Sequence, residues 1–137
     1  MAATASTGFV LDAHAAMAFL QGEPGGQKVR ACLLQAHEHN WPLHMSVINA
    51  GEVFYSLSRR DSEAKAEAAL EALLRMGIRF EPVDWLIARQ AAIFKAVGNI
   101  SYADCFALSL ALSKRKKLIT GDEEFRPFAK KVSIVWI

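Results

Sequence analysis

Phe9-Val10-Leu11-Asp12 is the stretch on which the reading of this chain turns. Three consecutive apolar residues that stop at a carboxylate read as a short strand, buried on both faces, whose end meets charge. Leu118-Ile119-Thr120-Gly121-Asp122 repeats the pattern near the other end of the chain. In an open parallel sheet the functional crevice lies beyond the carboxyl ends of the strands. Asp12 and Asp122 therefore fall where chemistry is expected, if the intervening sequence builds such a sheet.

It has the right punctuation to do so. Residues 13–21 read as a helix closed by Gly22 and broken by Pro24, and residues 26–39 as a second helix. Leu43-His44-Met45 is a strand candidate, and Ser46 is an N-cap for a helix to about Arg60. Asp61 is expected to start another helix, with Ala64, Ala68, Leu70, Leu73 and Leu74 at helical spacing and Gly77 as its stop. A short strand within 78–83 follows, then helices capped by Asp84 and Ser101, and a last strand over 132–137. Short apolar strands alternating with helices predict an α/β protein with a mostly parallel sheet. No repeat, linker or composition break divides the 137 residues, so one domain is expected.

Composition narrows the function classes. At 53% hydrophobic and 22% charged the chain is an ordinary globular sequence, not a disordered one. No apolar run approaches the roughly 18 residues needed to cross a bilayer. Met1 to Thr7 lacks the basic and apolar regions of a signal peptide, so a cytoplasmic protein is expected. Cys32 and Cys105 lie far apart and form no CxxC. They read as free thiols, and no Cys/His spacing completes a zinc site. The net charge of +2 says little by itself, but residues 1–100 carry 9 Lys/Arg against 10 Asp/Glu, while 101–137 carry 7 against 4. The excess lies in Lys114-Arg115-Lys116-Lys117 and Lys130-Lys131.

Four acids stand out, each with a bland alternative. Asp12 and Asp122 could simply cap the segments that follow them. Asp104, three residues after Ser101, completes a capping-box pattern, yet it opens the almost wholly apolar helix Cys105 to Leu112 and so faces the protein or a cleft. Glu52 sits among Val47, Ile48, Ala50, Val53, Phe54 and Leu57, where a carboxylate has to be paired, protonated or bound to a cation; a salt bridge to an Arg is the alternative. Were all four to meet in one crevice, their repulsion would call for a divalent ion. Hard oxygen donors suit Mg²⁺ or Mn²⁺. Such a site points to metal-dependent phosphoryl transfer or hydrolysis.

Four blocks in order, Val10-Leu11-Asp12-Ala13 with Gly22-Glu23-Pro24-Gly25, Ser46 to Val53, Ser101-Tyr102-Ala103-Asp104, and Leu118 to Phe125, resemble the PIN-domain ribonucleases, in particular the VapC-like toxins of toxin–antitoxin pairs. The resemblance runs from Phe9 to about Trp136. It implies a three-layer α/β/α fold and Mg²⁺- or Mn²⁺-dependent endonucleolytic cleavage of RNA, leaving a 5′-phosphate and a 3′-hydroxyl. Asp12, Glu52, Asp104 and Asp122 match the family's acidic quartet. Asp12, Asp104 and Asp122 are the expected metal ligands, with Glu52 acting through water or on a second ion. Asn49 and Thr120 match polar residues that support them. The resemblance also implies a homodimer and a small antitoxin protein that covers the acidic site. It fails at one position: His14 stands where the family usually has Ser or Thr, and it could replace that hydroxyl, bind phosphate, or point away.

Arg59 and Arg60, after the Glu52 helix, and Lys114, Arg115, Lys116 and Lys117 are the expected contacts to the RNA backbone. For the basic run a solvated helix end is an equal reading. A haloacid-dehalogenase-like phosphatase would need a second Asp at residue 14, and a phospho-receiver domain a differently placed Asp and Lys. The non-enzymatic alternative is a degenerate PIN fold that only binds RNA or a partner.

Overall fold

The structure is a computed structural model that describes residues 7–137; residues 1–6, where most of the leader-peptide reading falls, lie outside the described residues. Five strands, β1 (Phe9–Leu11), β2 (Leu43–Ser46), β3 (Ile78–Glu81), β4 (Lys117–Thr120) and β5 (Ile134–Trp136), form one sheet in the order β3-β2-β1-β4-β5. Every neighbouring pair is parallel. The helices are α1 (Ala13–Gln21), α2 (Gly26–His39), α3 (Val47–Arg60), α4 (Glu63–Arg75), α5 (Trp85–Val97) and α6 (Tyr102–Lys114). A 3-10 helix, Glu123–Phe128, links β4 to β5.

Strand periodicity sorts the core into two halves. Phe9, Leu11, Leu43, Met45, Ile78 and Ile119 project to one face and pack with residues of α1, α2, α3 and α4. Val10 and Leu118, one residue out of phase, project to the other face and pack with Ala91 and Phe94 of α5 and the apolar length of α6. The three layers, helices on both faces of a parallel sheet, follow from this alternation. The direction of winding then places the crevice. From β1 the chain moves to β2 and β3 on one side, then crosses to β4 on the other. The strand order therefore reverses between β1 and β4, where such folds open a cleft.

Helix starts follow the expected chemistry with one shift. Asp12, Ser46, Asp84 and Ser101 each accept a backbone N–H of the first turn they cap. Asp61 does not start α4. Its N–H closes α3 on the Leu57 carbonyl, and Ser62 caps α4 by accepting from Lys65. The last strand also begins later than residue 132, because the Val132 N–H is still committed to the Phe128 carbonyl. Both cysteines are free thiols; Cys105 is buried and Cys32 half-buried. No helix among the described residues is long and apolar enough to cross a membrane.

Candidate active site

Asp12 follows β1 directly and is only 1% exposed. Its Oδ1 accepts from the Ala15 N–H at 2.7 Å, which makes it the cap of α1. Its Oδ2 accepts from the Thr120 hydroxyl at 2.5 Å. Thr120, fully buried at the end of β4, also accepts the Asp122 N–H at 3.1 Å. One hydroxyl thus ties the acid after β1 to the acid after β4, across the point where strand order reverses. Asp122 in turn accepts the Glu124 N–H at 2.9 Å, turning the chain into the 3-10 helix. Asp104 arrives from the opposite layer, on the first turn of α6, with its N–H held by the Ser101 hydroxyl at 3.1 Å. Asp12 and Asp122 thus each cap the segment that follows them and also stand near Asp104.

Carboxylate oxygens of Asp104, Asp122 and Glu124 lie within 4.8 Å of one another. Glu124 was not among the residues the sequence singled out. Its signal was the Asp122-Glu123-Glu124 run, but sequence does not say which glutamate joins the cluster. Glu124 does so while remaining exposed; Glu123 instead forms a two-point pair with Arg126, at 2.7 and 3.0 Å, and that guanidinium lies over the Trp136 ring. Glu52 is half-buried rather than sealed in the core, and it stands close enough to Asp104 to raise that group's pKa. Its Oε1 accepts from Asn49 Nδ2 at 2.9 Å; among the described residues no Arg or Lys forms an ion pair with it. Asn49 is fully buried, and the same Nδ2 donates to the Ala103 carbonyl at 3.1 Å, so it joins α3 to the first turn of α6 beside Asp104. Both neighbours can only accept, which fixes the amide orientation and leaves Asn49 Oδ1 buried without a donor.

The electrostatics of the cluster are those of carboxylates short of positive charge. Burial pushes the Asp12 carboxyl up to about 7 against the hydrogen bonds from Thr120 and Ala15, with Asp104 and Asp122 adding repulsion. Burial likewise pushes Asp104 to about 7, opposed by Ser101 and aided by the charges of Asp122, Glu52 and Glu124. The donor set is all oxygen, and the shortage of positive charge is what a divalent cation relieves. These residues fit Mg²⁺ or Mn²⁺, and no Cys or His enters the cluster.

The other expected residues are placed less uniformly. His14 is exposed on the first turn of α1, with its ring against Gly121 between Thr120 and Asp122. The basic run is not brought to the acids. Lys117 opens β4 while Thr120 closes it, so roughly 10 Å of strand separates them. Lys114 pairs with Glu81 at 3.8 Å, and Lys116 Nζ donates to the Thr7 carbonyl at 2.5 Å. Arg59 and Arg60 end α3, about two turns beyond Glu52, with the Arg59 guanidinium over the Tyr55 ring.

The sequence profile described as the PIN domain matches residues 9–131. The chain belongs to the PIN-domain family. A search of curated protein sequences finds no match. Among solved structures, this PIN domain is similar to DNA-bound VapBC from Salmonella typhimurium (TM-score 0.77, 15% identity, covering 95% of this chain and 98% of that one). It is also similar to VapBC2 from Rickettsia felis bound to a fragment of its promoter DNA (0.73, 13%, 94% and 98%). A third is VapC20 of Mycobacterium tuberculosis, a toxin that cleaves the sarcin-ricin loop (0.69, 19%, 89% and 95%). At these identities the likeness shows the PIN fold.

Proposed function

We propose that this protein is a divalent-metal-dependent endoribonuclease, the toxin of a toxin–antitoxin pair. One observation carries the reading: acids from three separate places in the chain, Asp12 after β1, Asp104 on α6 and Asp122 with Glu124 after β4, converge at the strand-order reversal of a PIN fold. Asp104, Asp122 and Glu124 would hold Mg²⁺ or Mn²⁺, with Asp12, which lies outside that group of oxygens, proposed as a further ligand. When bound, such an ion stabilises charge on phosphate oxygens and makes water a stronger nucleophile.

The chain's own residues do the positioning. Thr120 orients Asp12 and fixes the backbone of Asp122 at once. Asn49 holds Glu52 beside Asp104, where it can accept a proton from an attacking water. His14, standing over Gly121, takes the position of the usual hydroxyl and contacts a substrate phosphate at the rim. Preorganised groups of this kind act without rearranging during the reaction. The solved VapBC assemblies of the same fold support an antitoxin partner. In this proposal that partner is a small protein covering the acids, the chain is a homodimer and it acts in the cytoplasm.

The test is cleavage of RNA by purified protein with Mn²⁺ and with EDTA. Cleavage is expected with Mn²⁺ only, and Asp104→Asn should abolish it while leaving the melting curve in EDTA cooperative. An Asp104→Asn protein that cuts at the wild-type rate would refute the assignment.

A further inference from the structure

The acids gather at the carboxyl ends of the strands; Arg79, Arg115, Lys117 and Lys131 lie at the amino ends. Three depressions follow one another along that edge in the order of the sheet. The first, a cleft of about 400 Å³, opens at the starts of β3 and β2 and is lined by Arg79, His37 and Trp41. The second, about 250 Å³, opens at the starts of β1 and β4. It shares Trp41 with the first and adds Lys117. The third, at the starts of β4 and β5 between Arg115 and Lys131, is a shallow dent of only about 20 Å³ that shares no lining residue with the second. None of the described residues lining the three is acidic. Together they span the width of the five-stranded sheet, roughly 19 Å at the usual strand spacing.

Two further observations distinguish this edge from an ordinary solvated surface. Among the described residues, the only non-glycine residues with positive φ are Asn40 (54°) and Arg115 (56°), and both line this groove. At the end of α6 a glycine would take that conformation without strain; here the residue is an arginine. A favourable interaction with the C-terminal dipole of α6 accounts for Lys114 and Arg115, but not for Arg79, Lys117 or Lys131, which lie on other elements. Trp41 supplies the other ingredient. It separates the first two depressions, and its ring is backed by a stacked His39 at 4.7 Å and an edge-on Phe9 at 6.3 Å. An acid-free basic groove set with an aromatic ring is the chemistry that tracks a single-stranded nucleic acid: cations for the phosphates, a ring for a base.

We propose that the amino-end edge of the sheet, from Arg79 past Trp41 and Lys117 to Lys131, is a second binding site, for single-stranded RNA, on the side of the sheet away from the acids. The choice of RNA rests on the function proposed above; the placement and the polarity of the groove do not. A strand held here would be anchored at a distance from the bond that is cut, so substrates long enough to reach round the sheet would bind more tightly than short ones.

The experiment is direct binding of a fluorescently labelled single-stranded RNA to the full chain in EDTA, as a function of salt, so that no cleavage is required. The triple charge reversal Arg79→Glu, Lys117→Glu, Lys131→Glu is compared with a control that reverses three exposed cations elsewhere, Arg30→Glu, Lys65→Glu and Arg89→Glu. The triple variant is expected to weaken binding by at least tenfold and to flatten the slope of log affinity against log salt by about 2, at roughly 0.7 for each phosphate no longer neutralised. The control should keep most of the wild-type slope, and cooperative melting of both variants shows that they are folded. Equal weakening by both variants, or an unchanged slope in the triple variant, would overturn the proposal. So would polyglutamate binding as tightly as RNA and being released by the triple variant, which would assign the groove to an acidic protein partner. Failure of wild-type protein to cut RNA with Mn²⁺ would remove the nuclease reading and leave this binding result standing or falling by itself.

Discussion

The imidazole of His14 occupies the space in which a side chain at residue 121 would begin: a Cβ placed on Gly121 would lie 2.5 Å from His14 Cε1 and 3.0 Å from Nδ1. Helix α1 and the turn after β4 are thereby matched to each other at the rim of the acidic cluster. Because His14 is exposed, its ring can swing away. Gly121→Ala should therefore cost little stability, about 1 kcal/mol or less, while displacing the ring. The Ile137 carbonyl, 3.1 Å from the same point, sets the residual cost. In a double-mutant cycle with His14→Ala, the effect of Gly121→Ala on RNA cleavage should largely vanish. Additive effects on kcat/KM would mean that the ring has no part in the reaction.

Metal-free protein should lose stability as pH rises from about 4 to about 7. Asp12 and Asp104 have folded-state pKa values raised from 3.8 to about 7, so the folded chain binds more protons than the unfolded one throughout that window. Their contribution is fully present below the unfolded value and is lost as pH passes through the folded one. For Asp12 the size is a few kcal/mol, at about 1.4 kcal/mol per pKa unit. For Asp104, which water reaches, it is smaller. Thermal melts in EDTA across this range should show the decline, and Asp12→Asn should flatten it. Asn still caps α1, so the helix start is preserved. A melting temperature that rises over the window in wild type and variant alike would contradict the assignment.

Asn49→Ala removes the donor shared by Glu52 and the Ala103 carbonyl and opens a small void between α3 and α6. The expected loss is about 1–3 kcal/mol in urea melts. A purely structural role would end there. A role in holding Glu52 beside Asp104 adds a second effect: weaker stabilisation of the folded protein by Mn²⁺, measured as the shift of the melting temperature at a fixed ion concentration. An unchanged Mn²⁺ shift would restrict Asn49 to packing.

His44 offers a pH response of opposite sign, away from the acids. It is buried in β2, where its Nδ1 donates to Glu81 at 2.6 Å while Nε2 is buried without a partner. Burial lowers its pKa below 6.5, against the raising effect of Glu81 and with the help of Lys114 and Lys116. A depressed histidine contributes stability that is present above the unfolded value and lost as pH falls below it. Glu81→Gln should depress the His44 pKa further in an NMR titration of its ring protons. An upward movement would show that Glu81 does not raise the His44 pKa.

Much of this molecule was legible in the one-dimensional chain. Apolar runs ending at Asp12 and at Asp122, with capped helices between them, specify parallel strands and put those acids at strand ends, because alternation and capping are local properties. Asp104 was marked by the apolar helix it opens and Glu52 by its apolar neighbours. Other features depended on what the fold brings together. Glu124 and Asp122 meet Asp104 only because α6 packs against β4. The basic run carries four of the expected RNA-backbone contacts, but β4 has Lys117 at one end and Thr120, bonded to Asp12, at the other, so the strand separates Lys117 from the acids. Local sequence sets which residues form a strand and which acid ends it. Which charges then face one another depends on strand order and on competition among side chains distant in sequence, and that is settled only when the layers pack.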